Sequence, residues 1–214
     1  MTNSSSSSIF YSTILTSFII SEIVVYLLSN ETNVSSNGWK KSIENIFVLI
    51  ILVTIPYIVS NYSLLFPNFL TFLFILLTPV IWTMITYLYL PHEGSQLNTV
   101  NDWTRNEIII NSIFLSGVVI IILAHLLIAY KKHKLKNFLS WLALITSVIT
   151  ILYLISYYTP GEGLFHLHHW FLGWIFSFFT IFYGNAWSEI GAGIAFGSMV
   201  HSFSNYDDNL NFFD

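Results

Sequence analysis

Long apolar runs separated by short polar stretches set the rhythm of this chain. A helix rises about 1.5 Å per residue and the hydrocarbon core of a bilayer is about 30 Å thick, so about 20 mostly apolar residues make a membrane-crossing helix. Such runs fall at 9–29, 45–60, 64–90, 107–130, 138–158 and 160–184, and a less apolar one follows at 186–203. The pattern predicts an all-α fold, a polytopic transmembrane helical bundle of seven spans, or six if the last run does not cross. The Ser run at 4–8 is low in complexity, so residues 1–8 are expected to be disordered, with 204–214 a polar tail. Pro67 and Pro79 sit in the third run, and the missing N–H at Pro79 predicts a kink there. Only Asn61-Tyr62-Ser63 parts the second run from the third, which predicts an antiparallel hairpin.

Composition identifies the solvent. Hydrophobic residues make up 55% of the 214 and charged residues 8%, against roughly 25% charged in a globular domain. Mean hydropathy is +0.70. The partner expected for such a surface is the lipid bilayer. The net charge is −4 and the seven Lys and Arg are scattered among loops, so no basic stripe exists for nucleic acid, which is excluded as a partner. With no cysteine, thiolate ligands, disulfides and cysteine nucleophiles are all excluded. Any chemistry falls to His, carboxylates and hydroxyls.

The densest basic group, Lys131, Lys132, Lys134 and Lys136, lies between the fourth and fifth runs and predicts a cytoplasmic loop. Alternation then puts the N-terminus in the cytoplasm and the loops 30–44, 91–106 and 159–160 outside or in a lumen. Lys40, Lys41 and Arg105 fall on that second side, so the asymmetry is four against three. The first lumenal loop carries the acceptor triplets Asn30-Glu31-Thr32 and Asn33-Val34-Ser35, which makes Asn30 and Asn33 candidate glycosylation sites in the secretory pathway or at the plasma membrane. Asn3 and Asn61 carry the same pattern on the opposite side.

Thr159-Pro160-Gly161-Glu162 has the form of a capping box with Pro at the first helical position, which starts the sixth helix at Pro160. Glu162, His166 and His169 then share one helix face at i, i+4 and i+7. His169 falls roughly 13 Å along the helix, in the outer hydrocarbon. The predicted topology brings His92 and His201 to the same side. Zinc or iron takes two or three imidazoles with a carboxylate, so His166, His169, His201 and His92 are the candidate metal ligands. Glu162 and Glu22 are the candidate acid–base groups, and an open coordination position would activate water. A competing reading makes His166-Leu167-His168-His169-Trp170 an interfacial belt anchored by Trp170 and Trp174.

Glu189, Gly193, Gly197 and His201 recur every fourth residue, a small-residue face suited to close helix packing. Glu189 shares a predicted depth with His125, close enough for the two to pair. Glu22 inside the first run costs on the order of 3 kcal/mol unless it is protonated or faces the His cluster. Three function classes follow: a membrane-embedded metal-dependent hydrolase or oxidoreductase acting on a lipid-like substrate, a small transporter or proton-coupled carrier, and a structural subunit of a membrane complex. Ionisable groups gathered toward one end favour the first.

Overall fold

The computed structural model describes residues 3–29, 38–59, 69–89, 104–158, 173–177 and 186–205. Among the described residues no strand occurs, and the elements are α1 (Asn3–Ser29), α2 (Gly38–Val59), α3 (Phe69–Tyr89), α4 (Arg105–Lys131), α5 (Leu135–Tyr158), α6 (described over 173–177) and α7 (Ala186–Asn205). The fold is all-α, as the pattern predicts. Among the described residues one stretch, Ser8–Leu28, is long and apolar enough to cross a membrane, and Phe69–Ile85 and Ser116–Lys131 are shorter apolar helices.

Two boundaries depart from the hydropathy pattern for one reason. Helix α1 begins at Asn3, so the Ser run expected to be disordered is its first turns. Helix α2 begins at Gly38 rather than 45, taking in Ser42, Glu44 and Asn45. Polar residues end an apolar run but do not end a helix whose backbone bonds continue through them. Pro79, expected to kink the third run, lies inside a continuous α3.

Side-chain bonds fix the directions of the helices. Ser17 donates to the Ile75 carbonyl at 2.7 Å and Ser21 meets Thr83 at 3.5 Å, so α1 and α3 advance together. Thr71 bonds the Glu189 carbonyl at 3.3 Å and Thr83 meets His201 at 3.1 Å, so α7 runs parallel to α3 as well. Tyr11 meets Thr54 while Glu22 meets Ser42, which makes α2 antiparallel to α1.

The core lies where α7 is wrapped by its neighbours. Phe10, Ile14 and Phe18 of α1, Leu49 and Val53 of α2, Ile75 of α3, and Phe196, Met199, Val200 and Phe203 of α7 form one buried cluster. The Phe10 and Phe196 rings meet edge-on at 5.1 Å, a geometry worth about 0.5–1.5 kcal/mol beyond its burial. Gly193 and Gly197 lie against Phe74, Thr78 and Pro79, so the small-residue face of α7 packs on α3. Large apolar side chains also point outward, among them Ile23, Leu27, Phe47, Ile51, Ile113 and Leu144, each more than half exposed.

Helices α4 and α5 form a hairpin with its own small cluster of Ala129 and Phe138, touched by Phe176 of α6. Their turn closes with Lys134 N–H donating to Ala129 O at 2.8 Å and His133 N–H to Tyr130 O at 3.1 Å. This is a Schellman cap, with His133 at φ 55° where glycine is the usual residue.

Candidate functional site

Most of the polar side chains inside the main core collect at the end where α1, α3 and α7 finish and α2 begins. His201 is 1% exposed, and its Nδ1 lies 3.1 Å from Thr83 Oγ1. Ser21 Oγ lies 2.6 Å from Ser204 Oγ and 3.5 Å from Thr83 Oγ1. Ser204 in turn donates to the His201 carbonyl at 3.1 Å. The edge of the Trp82 ring closes on the imidazole, with centroids 6.1 Å apart and planes at 87°.

Each hydroxyl has one proton, and that orders the chain. Ser204 spends its proton on the His201 carbonyl, so in the Ser21–Ser204 pair Ser21 donates. Ser21 lies 3.5 Å from Thr83, whose hydroxyl lies 3.1 Å from His201 Nδ1. A hydroxyl holding one ring nitrogen so that the other can act is how proteins orient an imidazole for a metal or a proton.

Helix α2 adds two polar groups to the same end. Glu22 is half-buried with Ser42 hydrogen-bonded to its carboxyl, and Asn45 Nδ2 donates to the Phe203 carbonyl at 2.9 Å. Glu22 and His201 therefore occupy the same end of the bundle, Glu22 being the chain neighbour of Ser21. His92, Glu162, His166 and His169, like Asn30 and Asn33, lie outside the described residues. Among the described residues no group of three or more His, Asp or Glu forms a metal shell.

A second imidazole lies near the opposite end of α7. His125 is fully buried, and its Nε2 lies 3.1 Å from Oγ of Ser188, the chain neighbour of Glu189. Nδ1 lies 2.8 Å from the Ile121 carbonyl, which only accepts, so Nδ1 carries the proton and Nε2 accepts from the Ser188 hydroxyl. The backbone carbonyl of Glu189 receives the Thr71 hydroxyl of α3 at 3.3 Å.

Sequence reasoning passed over Ser21, Thr83, Ser188 and Ser204. A signal existed for the α1 hydroxyls: Phe10, Ile14, Ser17, Phe18 and Ser21 stand at i, i+4, i+7, i+8 and i+11, so the serines share the buried stripe. No family model, no curated protein and no solved structure matches this chain.

Proposed function

We propose that this chain is a multi-pass integral membrane protein of seven spans that holds a zinc or iron ion at the His201 end of the bundle and acts there on a lipid-like substrate. The observation that carries this reading is the buried His201 ring, held through Nδ1 by Thr83 at the end of the bundle where Glu22 also lies. In this reading His166, His169 and His92 supply the further ligands, His92 following the end of α3 by three residues in the sequence.

Chain continuity supports the convergence. A Cβ on Gly173 would stand 2.5 Å from the Ala195 carbonyl and 3.0 Å from Met199 Cγ, and Phe176 reaches the α4–α5 hairpin. His169 precedes Gly173 by four residues in the sequence. Glu22 and Glu162 are the groups for proton transfer at the metal-bound water, which the ion would acidify.

Seven crossings are supported by the outward apolar side chains and by parallel α1, α3 and α7, the relation that six strictly alternating spans would break. Alternation on the Lys131–Lys136 loop then sets the N-terminus in the cytoplasm and the His201 end outside or in a lumen. The dry plug of Phe10, Ile14, Phe196, Met199 and Val200 between the two imidazoles favours a one-ended site over a polar path for a carrier.

Metal analysis of the detergent-purified protein tests the proposal. The wild type is expected to hold about one zinc or iron, His166→Ala and His169→Ala to lose it, and Thr83→Val to bind about tenfold more weakly, as mutation of an orienting partner does. A wild type that stays empty after dialysis against either metal, or variants that keep full occupancy, would overturn it.

A further inference from the structure

The His125–Ser188 pair is independent of the His201 centre, about 20 Å from it along α7 by helical rise. Both side chains are buried, the Ser188 hydroxyl donates to His125 Nε2 at 3.1 Å, and the Ile121 carbonyl holds Nδ1–H at 2.8 Å. A hydroxyl within reach of a base, with the base oriented by a third group, is the arrangement that activates a serine for attack. The ring is in the one tautomer that can accept the serine proton. We infer that Ser188 is a nucleophile and His125 its general base, in a second site that cleaves a carboxylic ester of an apolar, lipid-like chain.

The location supplies what that chemistry needs. Ser188 lies in the first turn of α7, where backbone N–H groups have no partner within the helix and the helix dipole favours developing negative charge. The seam is apolar, since Ile122, Leu126 and Ala129 of α4 pack around the Phe138 and Phe176 cluster beside it. An ester with a hydrocarbon chain suits apolar surroundings of that kind, and a charged substrate does not.

The reaction balances with water as the second reactant. Ser188 Oγ bonds to the ester carbonyl carbon as its proton passes to His125 Nε2, and the ring becomes imidazolium with Nδ1–H still on the Ile121 carbonyl. The carbon–oxygen bond to the leaving alcohol breaks, and the alcohol oxygen takes the proton from Nε2. Water then attacks the acyl-serine, giving a proton to Nε2. Release of the carboxylic acid returns that proton to Ser188 Oγ.

A fluorophosphonate probe with an alkyl tail, applied to the full chain in detergent micelles and mapped by peptide mass spectrometry, tests the assignment. One adduct is expected, on Ser188; it should vanish in Ser188→Ala and form at least about 100-fold more slowly in His125→Asn, the scale of general-base assistance. Ser188→Cys gives a second readout, because the chain has no other cysteine. Its alkylation by an apolar iodoacetamide should fall when His125→Asn is added. Thermal unfolding of each variant shows that the protein compared is folded. No adduct on Ser188 of the folded wild type, an adduct on another serine, or equal rates with and without His125 would overturn the proposal and leave the pair as a polar tie between α4 and α7.

Discussion

Gly193 and Phe74 lie so close that a methyl carbon added to the glycine would stand 2.5 Å from the phenylalanine Cβ, and 2.8 Å from the Thr71 carbonyl. Gly197 is in the same position one turn on, with Thr78 Cβ 2.6 Å from its would-be methyl. Cβ atoms and carbonyls cannot swing aside as the end of a long side chain can, so any side chain here pushes α3 from α7. Gly193→Ala and Gly197→Ala are each expected to destabilise by about 1–3 kcal/mol, the usual cost of overpacking. Gly117 of α4 has nothing within 4 Å of the same position, and Gly117→Ala should stabilise by up to about 1 kcal/mol through helix propensity. Thermal unfolding in one detergent checks all three, and equal effects at Gly193 and Gly117 would refute the close α3–α7 contact.

The Ser21 and Ser204 hydroxyls lie 2.6 Å apart at the His201 end. Hydrogen bonds between helices in a membrane are worth about 0.6 kcal/mol on average and up to about 1.7. Ser21→Ala and Ser204→Ala should each cost about 1 kcal/mol, and the double variant less than their sum by about 0.5–1 kcal/mol. A double-mutant cycle on unfolding free energies measures this coupling, and strict additivity would mean that the two hydroxyls do not interact.

His133 holds a φ of 55°, which costs a residue with a Cβ about 1 kcal/mol and glycine almost nothing. His133→Gly should therefore stabilise the α4–α5 hairpin by about 0.5–1 kcal/mol, while His133→Val, β-branched, should destabilise it. The same unfolding assay reads both. A histidine here in place of glycine has no explanation in the bonds of the turn.

The sequence pattern made the helices legible because continuous apolar character and helix length coincide over α1, α3, α4 and α5. Its apolar signal is weakest at α7, the run that it nevertheless placed at 186–203 and that forms the centre of the core. The reason is physical: Gly193, Gly197, Ala192 and Ala195 face other helices, where small size permits close packing, so α7 has no need of the Leu and Ile that cover outward faces. The site was legible at His201, where spacing put an imidazole on the small-residue face. Its partners Thr83 and Ser21 were not, because a hydroxyl within an apolar run hardly changes the hydropathy and only tertiary packing tells which hydroxyls meet. The same limit hid Ser188 as a partner of His125.

Helix direction gives the last prediction and the widest reach. Ser17 with Ile75, Ser21 with Thr83 and Thr83 with His201 require α1, α3 and α7 to point the same way. On the proposed topology, the start of α1 and the α4–α5 turn share one side of the membrane, and the end of α7 lies on the other. The absence of native cysteine makes single-cysteine variants clean reporters. Ser5→Cys and Lys132→Cys should react with a membrane-impermeant maleimide only after the membrane is opened. Asp208→Cys should react in intact cells or, for an internal organelle, only from the lumenal side. If Asp208→Cys and Ser5→Cys report the same side, α1 and α7 cannot both cross in the directions their contacts demand. His201 would then lie at the membrane face opposite the one predicted for His166 and His169, and the proposed metal shell would lose its anchoring ligand.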